Sequence, residues 1–140
     1  MSNSSIQFEG LEEILDSFGD MVSQHRVENA LFKACAVVER AAKIKAPKGS
    51  GELRRSITSK VEDNKGIVYT PLEYAPYVEY GTGLFAENGG RQDVPWIYKD
   101  EKGNYHATKG MHPHPYMRPA LDENRDRILR ILKEGFITND

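Results

Sequence analysis

Apolar residues recur at helical spacing near the start of the chain, where Leu11, Ile14, Leu15, Phe18 and Val22 define one stripe. Glu9, Glu12, Glu13 and Asp16 suit the positive end of such a helix. A second stripe follows in a shifted phase through Val27, Leu31, Ala34, Val38, Ala41 and Ile44. The five-residue step from Val22 to Val27 breaks the register. Either one long helix repacks there or two helices meet between Gly19 and Val27, and the pattern favours a long second helix over 27–45 with a separate or weakly joined first one. The run ACAVVERAAKIKA gives that second helix high propensity. Pro47 ends it, and Lys43, Lys45 and Lys48 sit at its negative end.

The spacing then shortens. PKGSGEL (47–53) predicts a Gly/Ser loop, and two strands over 56–61 and 67–70 flank the turn residues Glu62-Asp63-Asn64-Lys65-Gly66 as a hairpin, with Ile57 and Val61 on one face. Pro76 denies a backbone donor, so 73–80 is expected as a helical turn or an edge segment. LFAENGGRQD (84–93) predicts a mobile loop, in which Glu87, Asn88, Gly89 and Gly90 form the tip. A second hairpin is expected over 94–99 and 104–108. Prolines extend 109–117, and a last helix over 119–133 uses Leu121, Ile128, Leu132 and Ile131 or Phe136 as its apolar face. The class is α+β: a long N-terminal helical region, two β-hairpins forming a small, mostly antiparallel sheet, and a C-terminal helix packed on it. Residues 1–7 are expected as a disordered polar tail, and 8–137 as one domain with mobile loop 84–93 and extended arm 109–117.

Composition narrows the class. The chain has 140 residues, 39% hydrophobic and 29% charged, enough for one core and too apolar for a disordered chain. No apolar run approaches the ~20 residues of a membrane span, and MSNSSIQFEG does not read as a secretion signal. A single cysteine, Cys35, excludes an internal disulfide and a Cys-rich metal cluster. A net charge of -2 and a pI near 6.1 argue against a dedicated nucleic-acid binder. A soluble intracellular domain is the expectation.

Candidate chemistry is sparse. His112 and His114, two apart in an extended segment, point the same way and would need His106 or a carboxylate to complete a metal site. A Cys35 nucleophile would need a histidine, and His25 is about 15 Å away along a helix. Glu73 and Glu79 stand beside tyrosines near a glycine-rich turn, where a pKa can be tuned. Gly49-Ser50-Gly51 and Gly81-Thr82-Gly83 do not fit the phosphate-loop pattern. No catalytic constellation, cofactor site or metal site is predicted.

Charge and aromatics say more. Between 40 and 60, seven bases (Arg40, Lys43, Lys45, Lys48, Arg54, Arg55, Lys60) meet one acid, Glu52, whereas between 71 and 93 four acids (Glu73, Glu79, Glu87, Asp93) meet one base, Arg91. These are either solvated faces or complementary surfaces that fix the register between copies or neighbours. A third possibility is a basic lining beside DNA. Tyr69, Tyr74, Tyr77, Tyr80, Trp96, Tyr98, Tyr105 and Tyr116 crowd a loop-rich stretch, the residue types favoured as interface anchors.

Three blocks carry a resemblance. Ala46-Pro47 followed by Gly51-x-Leu53-Arg54-x-Ser56-Ile57, then Tyr74-Ala75-x-Tyr77-Val78-Glu79-Tyr80-Gly81-Thr82-Gly83, then His114-Pro115-Tyr116-Met117-Arg118-Pro119-Ala120-Leu121, come in this order. Together, over about 27–135, they resemble the gene-product-ten-like family of long-tailed bacteriophages, the head–tail joining or tail-completion proteins. Ser50 stands where the family has threonine and Tyr116 where it has phenylalanine.

The resemblance implies a non-enzymatic assembly protein in the virion neck or tail, made in the bacterial host cytoplasm. It implies partners that are copies of itself in a ring-like oligomer, neighbouring connector and tail-tube proteins, and DNA passing in the channel, with no membrane and no cofactor. Loop 84–93 and arm 109–117 are then expected to dock on neighbours. Arg54, Arg55, Tyr77, Glu79 and Trp96 are expected as contacts, and Arg118 as a structural residue. The alternative is a small nucleic-acid-binding module using the basic 40–60 patch.

Overall fold

The structure, a computed structural model, describes residues 5–7 (backbone), 24–87, 89–90 and 93–137; the helix expected over 11–22 lies outside them. The long helix α1, Gln24–Lys45, organises everything else. Its buried residues Val27, Ala30, Leu31, Ala34, Cys35, Val38 and Ala42 keep a three-and-four spacing, which makes one continuous stripe. Ala46 continues that stripe beyond the helix end. Ile44, assigned to the stripe from sequence, instead falls on the opposite face at 71% exposure, because the buried row steps from Val38 to Ala42 to Ala46.

On one side α1 packs against a three-stranded antiparallel sheet of order β1-β3-β2, with β1 Ser5–Gln7, β2 Thr58–Glu62 and β3 Lys65–Tyr69. Asp63 and Asn64 both take positive φ, the two-residue turn whose twist matches antiparallel strands. Ser5–Gln7, expected as part of a disordered tail, pairs with β3 in the register Ser5↔Tyr69 and Gln7↔Ile67. Alternating apolar residues are absent there, so only the backbone ladder marks it as a strand.

A short helix α2, Glu52–Ser56, occupies the end of the expected Gly/Ser loop and delays β2 to Thr58. Leu53 and Ile57 anchor it in the core. Ser56 Oγ donates to the Leu53 carbonyl at 2.6 Å and lies 2.6 Å from the hydroxyl of buried Thr70, which ties the start of β2 to the end of β3. The aromatic segment forms helix α3, Ala75–Tyr80, the helical turn that Pro76 in its first turn allows.

The second hairpin, β4 Trp96–Lys99 and β5 Tyr105–Thr108, forms its own two-stranded sheet rather than joining the first. The C-terminal helix is split into α4, Met117–Asp122, and α5, Arg125–Ile137, because Asn124 turns its side chain back onto the Ala120 carbonyl at 2.8 Å and starts α5 through its own carbonyl. Ile128, Leu132 and Phe136 bury α5 against α1, while α4 also meets β1 of the sheet. The result is α+β, with α1 sandwiched between sheet and C-terminal helices.

Candidate interaction site

The third sequence block begins a helix without a cap of its own. Neither Pro115 nor Tyr116 offers a side-chain acceptor to the free N–H groups of α4, and no side chain of the N-cap residue bonds them. Glu79, on α3, supplies the acceptor from 38 residues away. Its Oε1 accepts from the backbone nitrogens of Tyr116 at 3.0 Å and Met117 at 2.8 Å. Its Oε2 accepts from the Arg118 nitrogen at 3.3 Å and from Arg118 Nε at 2.7 Å.

Arg118 continues the joint outward. Its guanidinium donates to the Glu79 carbonyl at 3.1 Å and to both Glu87 carboxylate oxygens at 2.9 and 3.3 Å, and it lies 4.6 Å from the Tyr80 ring centroid. Burial pushes the Glu79 carboxyl up, but Arg118 and three backbone N–H groups outweigh it and hold the group below the usual carboxylate range. Glu87 and Glu79 in turn raise Arg118 above its ordinary value. Such a locked pair holds its charges fixed, which suits a structural joint and not a proton-transfer group.

Glu79 was expected as a contact residue; at 1% exposure it is internal, because α4 needs its carboxylate. Arg118 has the structural role expected of it. Tyr116 also belongs to the core, fully buried with its hydroxyl donating to the Ala75 carbonyl at 3.4 Å. Tyr74, Tyr77 and Tyr80 share the exposed side of α3, Tyr77 at 57% exposure, and Tyr80 meets the joint through Arg118. Glu87, expected in a mobile loop, is held by Arg118, and Gly83–Phe85 just before it forms a 3-10 turn; Asn88 lies outside the described residues, while Gly89 is exposed and Gly90 partly so.

The arm 109–117 is strapped along α3 and the turn after it. Leu84 N–H donates to the Lys109 carbonyl at 2.8 Å, Met111 N–H to Thr82 Oγ1 at 2.9 Å, and His114 N–H to the Val78 carbonyl at 2.7 Å. Trp96, also expected as a contact, is half-buried over this turn: a Cβ on Gly83 would lie 2.7 Å from Trp96 Cζ3 and 2.4 Å from the Lys109 carbonyl oxygen, so only glycine fits there. His112 stacks on Phe85 with ring centroids 3.8 Å apart, and His114 Nε2 donates to the Lys45 carbonyl at 3.3 Å. The two imidazoles therefore serve different partners. Among the described residues, no three His, Cys, Asp or Glu side chains gather as metal ligands, and no helix is long and apolar enough to cross a membrane.

The basic patch is partly neutralised. Lys43 pairs with Glu39, Lys45 with Glu123 and Lys60 with Glu62. Arg55 is exposed, its guanidinium donating to the Ser50 carbonyl at 3.4 Å. Arg54 instead lines an open groove of about 800 Å³ on the outer face of α1. Sequence alone gave no sign of this groove, since Ile44 counts equally well for either helix face.

The family model described as "Bacteriophage HK97-gp10, putative tail-component" matches residues 9–81. No curated protein and no solved structure matches the chain. The matched span runs through α1, the first hairpin and α3, and so ends just past Glu79.

Proposed function

The chain belongs to the HK97-gp10-like family of bacteriophage tail components, and on that footing we propose that it is a non-enzymatic morphogenesis protein that joins or completes the head–tail connection within an oligomeric neck or tail assembly. The observation that carries this reading is the row of exposed tyrosines Tyr74, Tyr77 and Tyr80 along α3, a helix that Glu79 clamps to α4 and that Arg118 ties on to Glu87. Rigid aromatics on a pre-organised surface lose little conformational freedom on docking. The Gly-rich stretch around 89–90 and the Tyr77 face are the parts that meet neighbouring subunits or the adjoining ring, and Arg55 is a contact beside them.

Deleting the gene from its phage or prophage and imaging the particles tests this. Filled heads and separate tails that do not join, cured by the gene in trans, are the expected outcome. Normal infectious particles would overturn it.

The nucleic-acid alternative has support in Arg40, Lys48 and Arg55, which make no ion pair among the described residues. Three of the other four bases are already paired with acids, which weakens it. Binding of duplex DNA by the isolated chain with a steep salt dependence would favour it.

A further inference from the structure

The outer face of α1 carries a groove lined by twelve described residues of α1, α2, β2 and the C-terminal helices. Its floor is apolar: Phe32 is 65% exposed, Ile44 71%, and Ala36 and Val37 lie between them. Its rim is basic. Arg40, Lys43, Arg54 and Arg127 line it against one acid, Glu39, which is committed to Lys43. The Nε of Arg54, one of these lining residues, is buried and has no hydrogen-bond partner among the described residues.

We infer that this groove receives the acidic segment 9–22 of a second copy of the chain. That segment has five acids (Glu9, Glu12, Glu13, Asp16, Asp20), no Lys or Arg, and the apolar row Leu11, Ile14, Leu15, Phe18 and Val22. Apolar residues at helical spacing flanked by carboxylates match an apolar floor flanked by arginines. The lengths match as well: Phe32 to Ile44 spans about 18 Å of helix, and Leu11 to Val22 as a helix about 17 Å.

A neighbour's segment fits where the chain's own does not. The segment is tethered at both ends in its own chain, at Gln7 of β1 and at Gln24, the first residue of α1. Lys43 and Ile44 lie about 30 Å further along the axis, whereas a helix from Val22 back to Glu9 reaches about 20 Å. Folded back on its own α1, it would leave the far end of the groove bare. This inference rests on the oligomeric role proposed above and specifies which surfaces meet.

Carbodiimide coupling, which joins a carboxylate to an amine in direct contact, tests it on the purified full-length protein over a range of concentrations and on purified particles. We expect bands at twice the chain mass in which a carboxylate of 9–22 is joined to Lys43. The double variant Arg40→Glu, Arg127→Glu should lose that product by about tenfold while keeping its circular dichroism, and adding Glu12→Lys and Glu13→Lys should restore self-association in sedimentation. Lys43 products confined to the single-chain band, or a dimer product undiminished by the arginine reversals, would overturn the docking. Absence of the protein from particles would overturn the joining role alone, because the dimer product of the free protein still decides the docking.

Discussion

Glu79 Oε1 lies 2.8 Å from the backbone nitrogen of Met117, and through this bond a carboxylate on one helix caps another that begins 38 residues later. The same carboxylate holds Arg118, so the second and third sequence blocks meet in one buried joint. Lys45, next to the first block, reaches the same region through Glu123 and the His114 ring.

Removing the Glu79 carboxylate should therefore unfasten α4. Glu79→Ala leaves three backbone donors and a guanidinium without their acceptor and should cost about 3 kcal/mol, the low end for a broken buried pair because Arg118 remains partly in water. Glu79→Gln keeps an acceptor but turns an amide N–H₂ toward donors, and should cost about 1–2 kcal/mol. Denaturant midpoints of the two variants and the wild type measure both.

The joint also makes stability depend on pH. The folded Glu79 carboxyl titrates below its unfolded value of about 4.3. Its contribution is complete above about pH 5 and is lost as the pH falls through the carboxyl range. The stability gap between wild type and Glu79→Gln should accordingly narrow from pH 7 to pH 3. A gap that stays constant across this range contradicts the charge-based account.

How much of this was legible in the sequence depends on the distance over which each residue acts. The stripe from Val27 to Val38 is local periodicity, and the structure keeps it. The turn at Asp63-Asn64 is likewise local chemistry and appears where expected, and of the two forms expected around Pro76, a helical turn or an edge segment, the helical turn forms. Glu79 acts across 38 residues, and its neighbours Tyr77 and Tyr80 made it resemble a surface residue. One clue was available: Tyr116-Met117 opens a helix with no Ser, Thr, Asp or Asn to cap it, so an acceptor had to come from elsewhere. Trp96 misled in the same way, since only the fold brings Gly83 beneath its ring. Ser5–Gln7 carries no strand pattern and is defined by its partner β3.

Gly135 should resist the usual gain from alanine in a helix. It sits inside α5 where a Cβ would lie 2.6 Å from the Ala30 Cβ on α1, and neither backbone can yield without moving a helix. Gly135→Ala should destabilise the fold by about 1–3 kcal/mol despite better helix propensity, as thermal unfolding will report.

Cys35 should be inert in the folded protein. Burial pushes its thiol up to about 11, with Glu39 adding to the rise. At pH 8 the thiolate fraction is about 100-fold below that of an unburied thiol, before steric protection is counted. Iodoacetamide should label it only once the chain is unfolded; rapid labelling of the native protein contradicts a sealed interface between α1 and the sheet.

The most direct measurement is localisation of the protein in intact particles by gold labelling of a C-terminal tag in electron micrographs. The account predicts gold at the junction of head and tail, several copies to a particle. Particles without label, or label confined to the distal tail tip, would contradict it.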